Sequence, residues 1–569
     1  MRATTLLSIG LGMLAAGATP GRAVELARIQ GMGINEIESR RFSLDREEEV
    51  EIEAVTLRPG RLATGCDAWI LDASTREVVW RVKEADTERK GSRLLEVEDR
   101  KRLPKGEYEL YLATFPDRDR GGFGLKEFFG LVTRGHRYWH GARRLVDDLE
   151  ITLRAPSGTA QGRNRLHHVA EALGEGAIAS MIGMGDGERR CSAFVLPEKT
   201  EVEIYALGEA TGDGLYDAAW IIDVDTGEKV WALERRNSKR AGGDKKNRLV
   251  REKLDLPAGR YAAFYATDDS HAWPRFNLRP PFDPMAWGLT IRTTDPARAR
   301  RVTEFDYEGH EDRNRVVDLT RIRDHRHAMA GFTLDRPQEL CIHAVGEGDH
   351  GDMYDYGWII DARSREVVWE MKHRHTRHAG GAKKNRVANR VKRFDAGSYT
   401  VHFVTDDSHA YRDWNAAPPF EPTRWGITLT GVGEDFDQEA VRPYRPDEDP
   451  DVLARIARVR NREWEQTSFR IDHDQDVLVY ALGEGRRGDM YDYAWIENDR
   501  GRTVWEMTYR KTDHAGGSKK NRLFRDEVHL KAGTYEVYYI SDGSHAYGRW
   551  NAEPPRDPEA WGVMVLAVD

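Results

Sequence analysis

A motif that returns at a fixed interval constrains this chain more than any other feature. Tyr216-Asp217-Ala218-Ala219-Trp220-Ile221-Ile222-Asp223 is followed by Tyr354-Asp355-Tyr356-Gly357-Trp358-Ile359-Ile360-Asp361, and then by Tyr491-Asp492-Tyr493-Ala494-Trp495-Ile496. The interval is about 138 residues. A divergent copy, Cys66-Asp67-Ala68-Trp69-Ile70-Leu71-Asp72, has Cys66 where the others have Asp. Such self-similarity means one folding unit used four times, and 569 residues suffice for four domains of ordinary size.

Each unit reads as seven short strands. In the last one, Phe469 to Ile471, Val477 to Leu482, Ala494 to Glu497, Val504 to Met507, Val528 to Leu530, Tyr535 to Ile540 and Trp561 to Ala567 are β-rich runs, several with apolar and polar residues in alternation. Asp499-Arg500-Gly501 supplies a hairpin turn. The expected fold is therefore all-β: four tandem seven-stranded antiparallel β-sandwiches, the first divergent. Their bounds fall at 24–155, 156–295, 296–432 and 433–569, with charged connectors opening the third and fourth units. A helix is expected around Leu166 to Ala179, and a helical turn at Leu453-Ala454-Arg455-Ile456, which is matched by Leu26-Ala27-Arg28-Ile29.

Residues 1–23 read as a cleavable signal peptide: Arg2, an apolar run from Thr4 to Ala16, and small residues at Gly21 and Ala23. The expected compartment is periplasmic or extracellular. No later stretch has the length of an apolar transmembrane helix. Cys66, Cys191 and Cys341 occupy different positions in their repeats, so no disulfide framework is repeated. The 87 basic and 96 acidic residues are intermixed and give a net charge of −9, which argues against a nucleic-acid partner.

Comparing the copies separates scaffold from site. The Trp pairs Trp69/Trp80, Trp220/Trp231, Trp358/Trp369 and Trp495/Trp505 occur in all four units. Three further groups occur only in units two to four, all of them between strands. The first is Gly-Glu followed by Asp and Tyr-Asp: Glu209, Asp213, Tyr216, Asp217; Glu347, Asp352, Tyr354, Asp355; Glu484, Asp489, Tyr491, Asp492. The second is Ala-Gly-Gly-x-Lys-Lys-Asn-Arg, which brings Lys246, Asn247, Arg248; Lys384, Asn385, Arg386; and Lys520, Asn521, Arg522. The third brings Asp268, His271, Trp273, Asn277; Asp406, His409, Tyr411, Trp414, Asn415; and Asp542, His545, Tyr547, Trp550, Asn551, each set followed by Pro-Pro and Trp-Gly. Alternate connections of an antiparallel sandwich share an end, so the three groups should meet at one pole and form one composite site per repeat.

What that site does is read in several ways. The loops could simply brace themselves, since buried loop charges need partners. Aromatics beside Asn, Asp, His and Arg also suit stacking on sugar rings, and tandem copies would add avidity on a polymer. The first expectation is thus a non-catalytic binding protein for an extracellular polymer, carbohydrate first, or for a protein surface. The alternative is a scaffold whose loops join repeat to repeat or protein to protein. A metal-dependent hydrolase comes third. Glu347, Asp352, Asp355 and Asp406 suit a hard cation such as Ca²⁺, although the adjacent Lys383 and Lys384 argue against one. Catalysis is disfavoured because Ser408 and His409 are neighbours in sequence, where side chains diverge. The frame Phe332-x-Leu334-Asp335, an alternating strand, then Ala396-Gly397-x-Tyr399 resembles the small β-sandwich domains appended to bacterial secreted proteases (pre-peptidase C-terminal type). The resemblance covers strand signatures only and implies a sandwich fold, with no site residues.

Overall fold

The computed structural model describes residues 23–568 except 59–63, 85–86, 91–92, 117–145, 175, 212–213, 227 and 434. The signal-peptide segment, Asp213 and most of the first repeat's long loops lie outside the described residues. A first compact unit holds repeats 1 and 2, and a second holds most of repeats 3 and 4.

The chain is all-β, and its sheets are antiparallel. In repeat 4, one sheet runs in the order Val452–Ile456, Gly562–Ala567, Gln475–Arg486, Asn521–Leu530, Asp513–His514. The facing sheet runs Trp464–Ile471, Gly533–Ile540, Tyr493–Asn498, Thr503–Glu506. Alternation explains the strands: Val477, Val479 and Ala481 point inward and meet Phe469, Val537, Tyr539 and Ile496 from the other sheet in one core.

All seven expected strands of repeat 4 are present, with additions. Leu453 to Ile456 is not a helical turn but part of an entry strand, which pairs with the last strand of its repeat. Val24–Gln30, Ala177–Met181 and Arg315–Thr320 do the same in the other repeats. These segments are too short and too β-branched to hold a helix alone, and the open edge of the last strand offers backbone partners. The helix expected from Leu166 to Ala179 stops at Gly174, and Ala177 starts the entry strand. Cys66, Cys191 and Cys341 form no disulfide among the described residues. No helix among the described residues is long and apolar enough to cross a membrane.

Two joints recur, one inside each unit. Arg76 and Arg365 hold the same turn position with left-handed backbones, φ 57° and 56°, where Gly or Asn is usual. Arg76 donates to Asp283 of repeat 2 (2.8 Å) and to Glu109 (2.7 Å), with Tyr205 also donating to Asp283. Arg365 likewise donates to Asp557 of repeat 4 and lies over the Tyr480 ring. Asp283 and Asp557 each precede the short helical turn that ends the third loop. All four joint side chains are at most 6% exposed, so each ion pair is desolvated.

Removing one partner of such a pair strands a buried charge. Arg365→Ala should cost about 3–5 kcal/mol, read as a lower urea midpoint for the transition that includes repeat 4. The double change Arg365→Met with Asp557→Leu should recover most of that loss. An unchanged midpoint for Arg365→Ala would contradict the joint.

Candidate functional site

The three groups meet in each of repeats 2 to 4, although not all of them lie between strands: Glu209, Glu347 and Glu484 sit near strand ends, and Asn247, Asn385 and Asn521 each open a strand. Loop one meets loop three because the Asp217 carboxylate accepts the Asp268 amide (2.9 Å) and the Trp287 indole N–H (2.8 Å). The same pair of bonds ties Asp355 to Asp406 and Trp425, and Asp492 to Asp542 and Trp561. Loop one meets loop two where Lys246, Lys384 and Lys520 each lie 2.9 Å from Glu209, Glu347 and Glu484. The same ammonium groups donate to Asn277, Asn415 and Asn551 of loop three at 2.6–2.7 Å.

Loop two meets loop three through a buried imidazole. His271, His409 and His545 place Nε2 2.5–2.6 Å from the side-chain oxygen of Asn247, Asn385 and Asn521. The Asn247 and Asn521 amide nitrogens are committed to backbone carbonyls, Gly242 and Arg279 in one case, Gly516 and Glu553 in the other. The amide oxygen is therefore the acceptor, and the imidazole carries its proton on Nε2. All three histidines have left-handed backbones, φ 57–65°, a strained state held by these contacts. Burial keeps them neutral: His409 and His545 are lowered to about 4.

Two glycine positions explain the motif spelling. A side chain on Gly243, Gly381 or Gly517 would meet the carbonyl of Pro280, Pro418 or Pro554 at 1.9 Å, so the Gly-Gly and Pro-Pro segments require each other. A side chain on Gly208, Gly346 or Gly483 would strike the carbonyl of Asp217, Asp355 or Asp492.

The expected ligand platform is largely interior. Asp217, Asn247, His271 and their counterparts Asp355, Asn385, His409, Asp492, Asn521 and His545 are 0% exposed. They cannot stack on a sugar or touch a polymer. Arg248, Arg386 and Arg522 brace loop two, bonding Ser238, Thr376 and Thr512. Trp414 and Trp550 are half-buried and pack edge-on against the histidine and the Trp-Gly tryptophan, with centroids 5.0–5.1 Å apart; Phe276 takes that place in repeat 2. Trp273, Tyr411 and Tyr547 are half-buried, and their amides donate to carbonyls in the loop after the entry strand. The outer rim consists of Asn415 and Asn551 with Tyr354 and Tyr491, each tyrosine 43% exposed.

Acidic residues gather beneath that rim. Oxygens of Glu209, Asp217 and Asp268 lie within 4.8 Å of one another, as do those of Glu347, Asp355, Asp406 and of Glu484, Asp492, Asp542. Asp352 is not among them; it is exposed on a two-residue edge strand. Burial pushes Glu209 up to about 7, Asp355 to about 8 and Asp492 to about 7.

Sequence reasoning passed over two contributors. The Trp-Gly tryptophans are hydrogen-bond donors to the central Asp, a role hidden in their repetition. Asp186 and Asn461, just before the first core strand, accept the amides of Ala272 and Ala546. Their differing identities concealed them.

The fold and site define an all-β array with an internal polar lock in its later repeats. No family model and no curated protein matches the chain. Among solved structures, one containing the CBM32-1, CBM32-2 and M60 catalytic domains of Clostridium perfringens ZmpB overlaps at 8% identity and a TM-score of 0.11. The overlap covers 67% of this chain and 51% of that one, so this chain spans about half of its length. A likeness that slight bears on neither fold nor function.

The opposed shifts give a pH signature. Asp355 is raised from 3.8 to about 8, so its contribution is full below pH 4 and is lost as pH rises through 8. His409 is lowered from 6.5 to about 4, so its contribution is full above pH 6.5 and is lost as pH falls through 4. Between pH 6.5 and 8.5 only the carboxylates act, so the melting temperature in EDTA should fall as pH rises. Asp355→Asn should flatten that slope in differential scanning calorimetry, and a slope of opposite sign would refute the assignment.

Proposed function

We propose that this protein is a non-catalytic scaffold in which the loop pole of one repeat is a built joint to the repeat before it. The observation that carries this is the buried pairing of Arg76 with Asp283 and of Arg365 with Asp557. In each case the arginine comes from a hairpin turn and the aspartate from the far end of a loop that the His–Asn pair holds in place. Loops this long need ordering before they can present one carboxylate to a neighbour, and the interior hydrogen bonds supply that order. A non-catalytic role is supported by the histidine, whose Nε2 is committed to an amide and whose ring is sealed from solvent.

A second reading, binding of an extracellular polymer with carbohydrate first, rests on the rim. Tyr354 and Tyr491 are exposed, and their amides donate to the carbonyls of Glu347 and Glu484, whose side chains pair with Lys384 and Lys520. Export to the periplasm or the cell exterior belongs to both readings.

Combined Asp283→Ala and Asp557→Ala tests the joints. Limited proteolysis should cut within 156–176 and 434–451 faster than in the parent chain. Equal rates would reject the scaffold reading. For the rim, Tyr354→Ala with Tyr491→Ala should abolish any signal on a glycan array while leaving the melting temperature unchanged, and undiminished binding would reject carbohydrate recognition there.

A further inference from the structure

We propose that repeats 2, 3 and 4 each bind one Ca²⁺-like divalent cation in the Glu-Asp-Asp cluster: Glu209, Asp217 and Asp268; Glu347, Asp355 and Asp406; Glu484, Asp492 and Asp542.

An acidic cluster alone would not suffice, since carboxylates often gather without an ion. Three further observations point to one. First, one carboxylate oxygen is orphaned in the same way each time. Oε1 of Glu209, Glu347 and Glu484 takes the lysine, whereas Oε2 is shielded from water and has no hydrogen-bond partner among the described residues. These glutamates are only 5–7% exposed. A buried carboxylate oxygen without a donor is costly, and the same orphan in three independent copies signals a missing electrophile.

Second, charge does not balance. With all three carboxylates ionised, each repeat would set three negative charges against one ammonium, an excess of two that a divalent cation would cancel. If a lysine–glutamate lock were the whole purpose, the two aspartates would add only repulsion. Two N–H donors orient the central aspartate, but they do not outweigh the cost of its burial.

Third, the set is present or absent as a whole. Sheet register places Leu57, Cys66 and Phe115 of repeat 1 where repeat 2 has Glu209, Asp217 and Asp268. Leu57 lies in the apolar core and Cys66 packs against it. Asn247 is replaced by Leu94 in the same register. The acidic set is thus lost together with the loops that surround it.

The donors fix the chemistry. All are hard oxygens, and no histidine belongs to the clusters, which favours Ca²⁺ over zinc or copper. Ca²⁺ holds oxygens at about 2.3–2.6 Å and so reaches pairs up to about 5 Å apart. Oxygens within 4.8 Å can therefore share one ion. Asp268, Asp406 and Asp542 are half-buried, leaving one side for the waters that complete the shell.

The test uses the full chain and Tb³⁺, a luminescent stand-in for Ca²⁺. Trp287, Trp425 and Trp561 bond directly to the central aspartates, close enough to sensitise a bound lanthanide. Tryptophan-excited Tb³⁺ emission should saturate at three equivalents, be displaced by excess Ca²⁺ and fall by about one third with each of Glu209→Gln, Glu347→Gln and Glu484→Gln. Ca²⁺ should also raise the melting temperature of the parent protein. A Ca²⁺-displaceable stoichiometry below three, or full emission from the triple Gln variant, overturns the proposal. If a variant fails to fold, the stoichiometry of the parent decides alone. The assay involves neither a glycan nor the joint arginines, so its failure would leave the scaffold reading standing.

Discussion

The central aspartate of each later repeat is the contact on which the rest depends. Asp217, Asp355 and Asp492 are fully buried carboxyl groups, and a buried polar group is tolerated only when hydrogen-bond partners surround it. One donor is the amide of the aspartate that opens loop three, and the other is an indole at that loop's end. A single carboxylate thus pins both ends of a loop that runs from Asp268 to Trp287. With the ends fixed, the histidine meets the asparagine of loop two, and the Gly-Gly and Pro-Pro segments pass close enough that no side chain fits between them.

From that pinned loop the joint follows. Loop three delivers Asp283 and Asp557 as rigid acceptors, and Arg76 and Arg365 meet them from a turn whose left-handed backbone aims the guanidinium. Buried ion pairs contribute little net stability, because desolvation offsets attraction. Their effect is geometric: a guanidinium donates to a carboxylate in few orientations, so the ion pair constrains how the two repeats within a unit meet. The cation proposed beneath the rim would act on the same loops, drawing loops one and three together.

Much of this was legible in the residues. The period, the alternating strands and the division between residues present in four copies and in three are visible without coordinates. So was the convergence of three distant motifs, because antiparallel connections alternate between ends. What misled was exposure. Trp414, Asn385 and His409 have the composition of a binding platform, but composition carries no information on which way a side chain faces. Leu453 to Ile456 looked helical because four residues show no period; pairing with Gly562–Ala567 decided otherwise. Asp352 stood among the acidic candidates and lies outside the cluster, separated by one edge strand.

By itself the sequence determined the repeat, the all-β fold and the identity of the residues that meet at the loop pole, since these follow from local periodicity and chain connectivity. Tertiary structure alone decided that most of those residues are interior, that the tryptophan of Trp-Gly is a donor to the central aspartate, and that the loop end serves the preceding repeat. Burial and partner choice depend on distances between segments tens of residues apart in the chain, 24 for Asn247 and His271 and 51 for Asp217 and Asp268, and no local pattern encodes a distance.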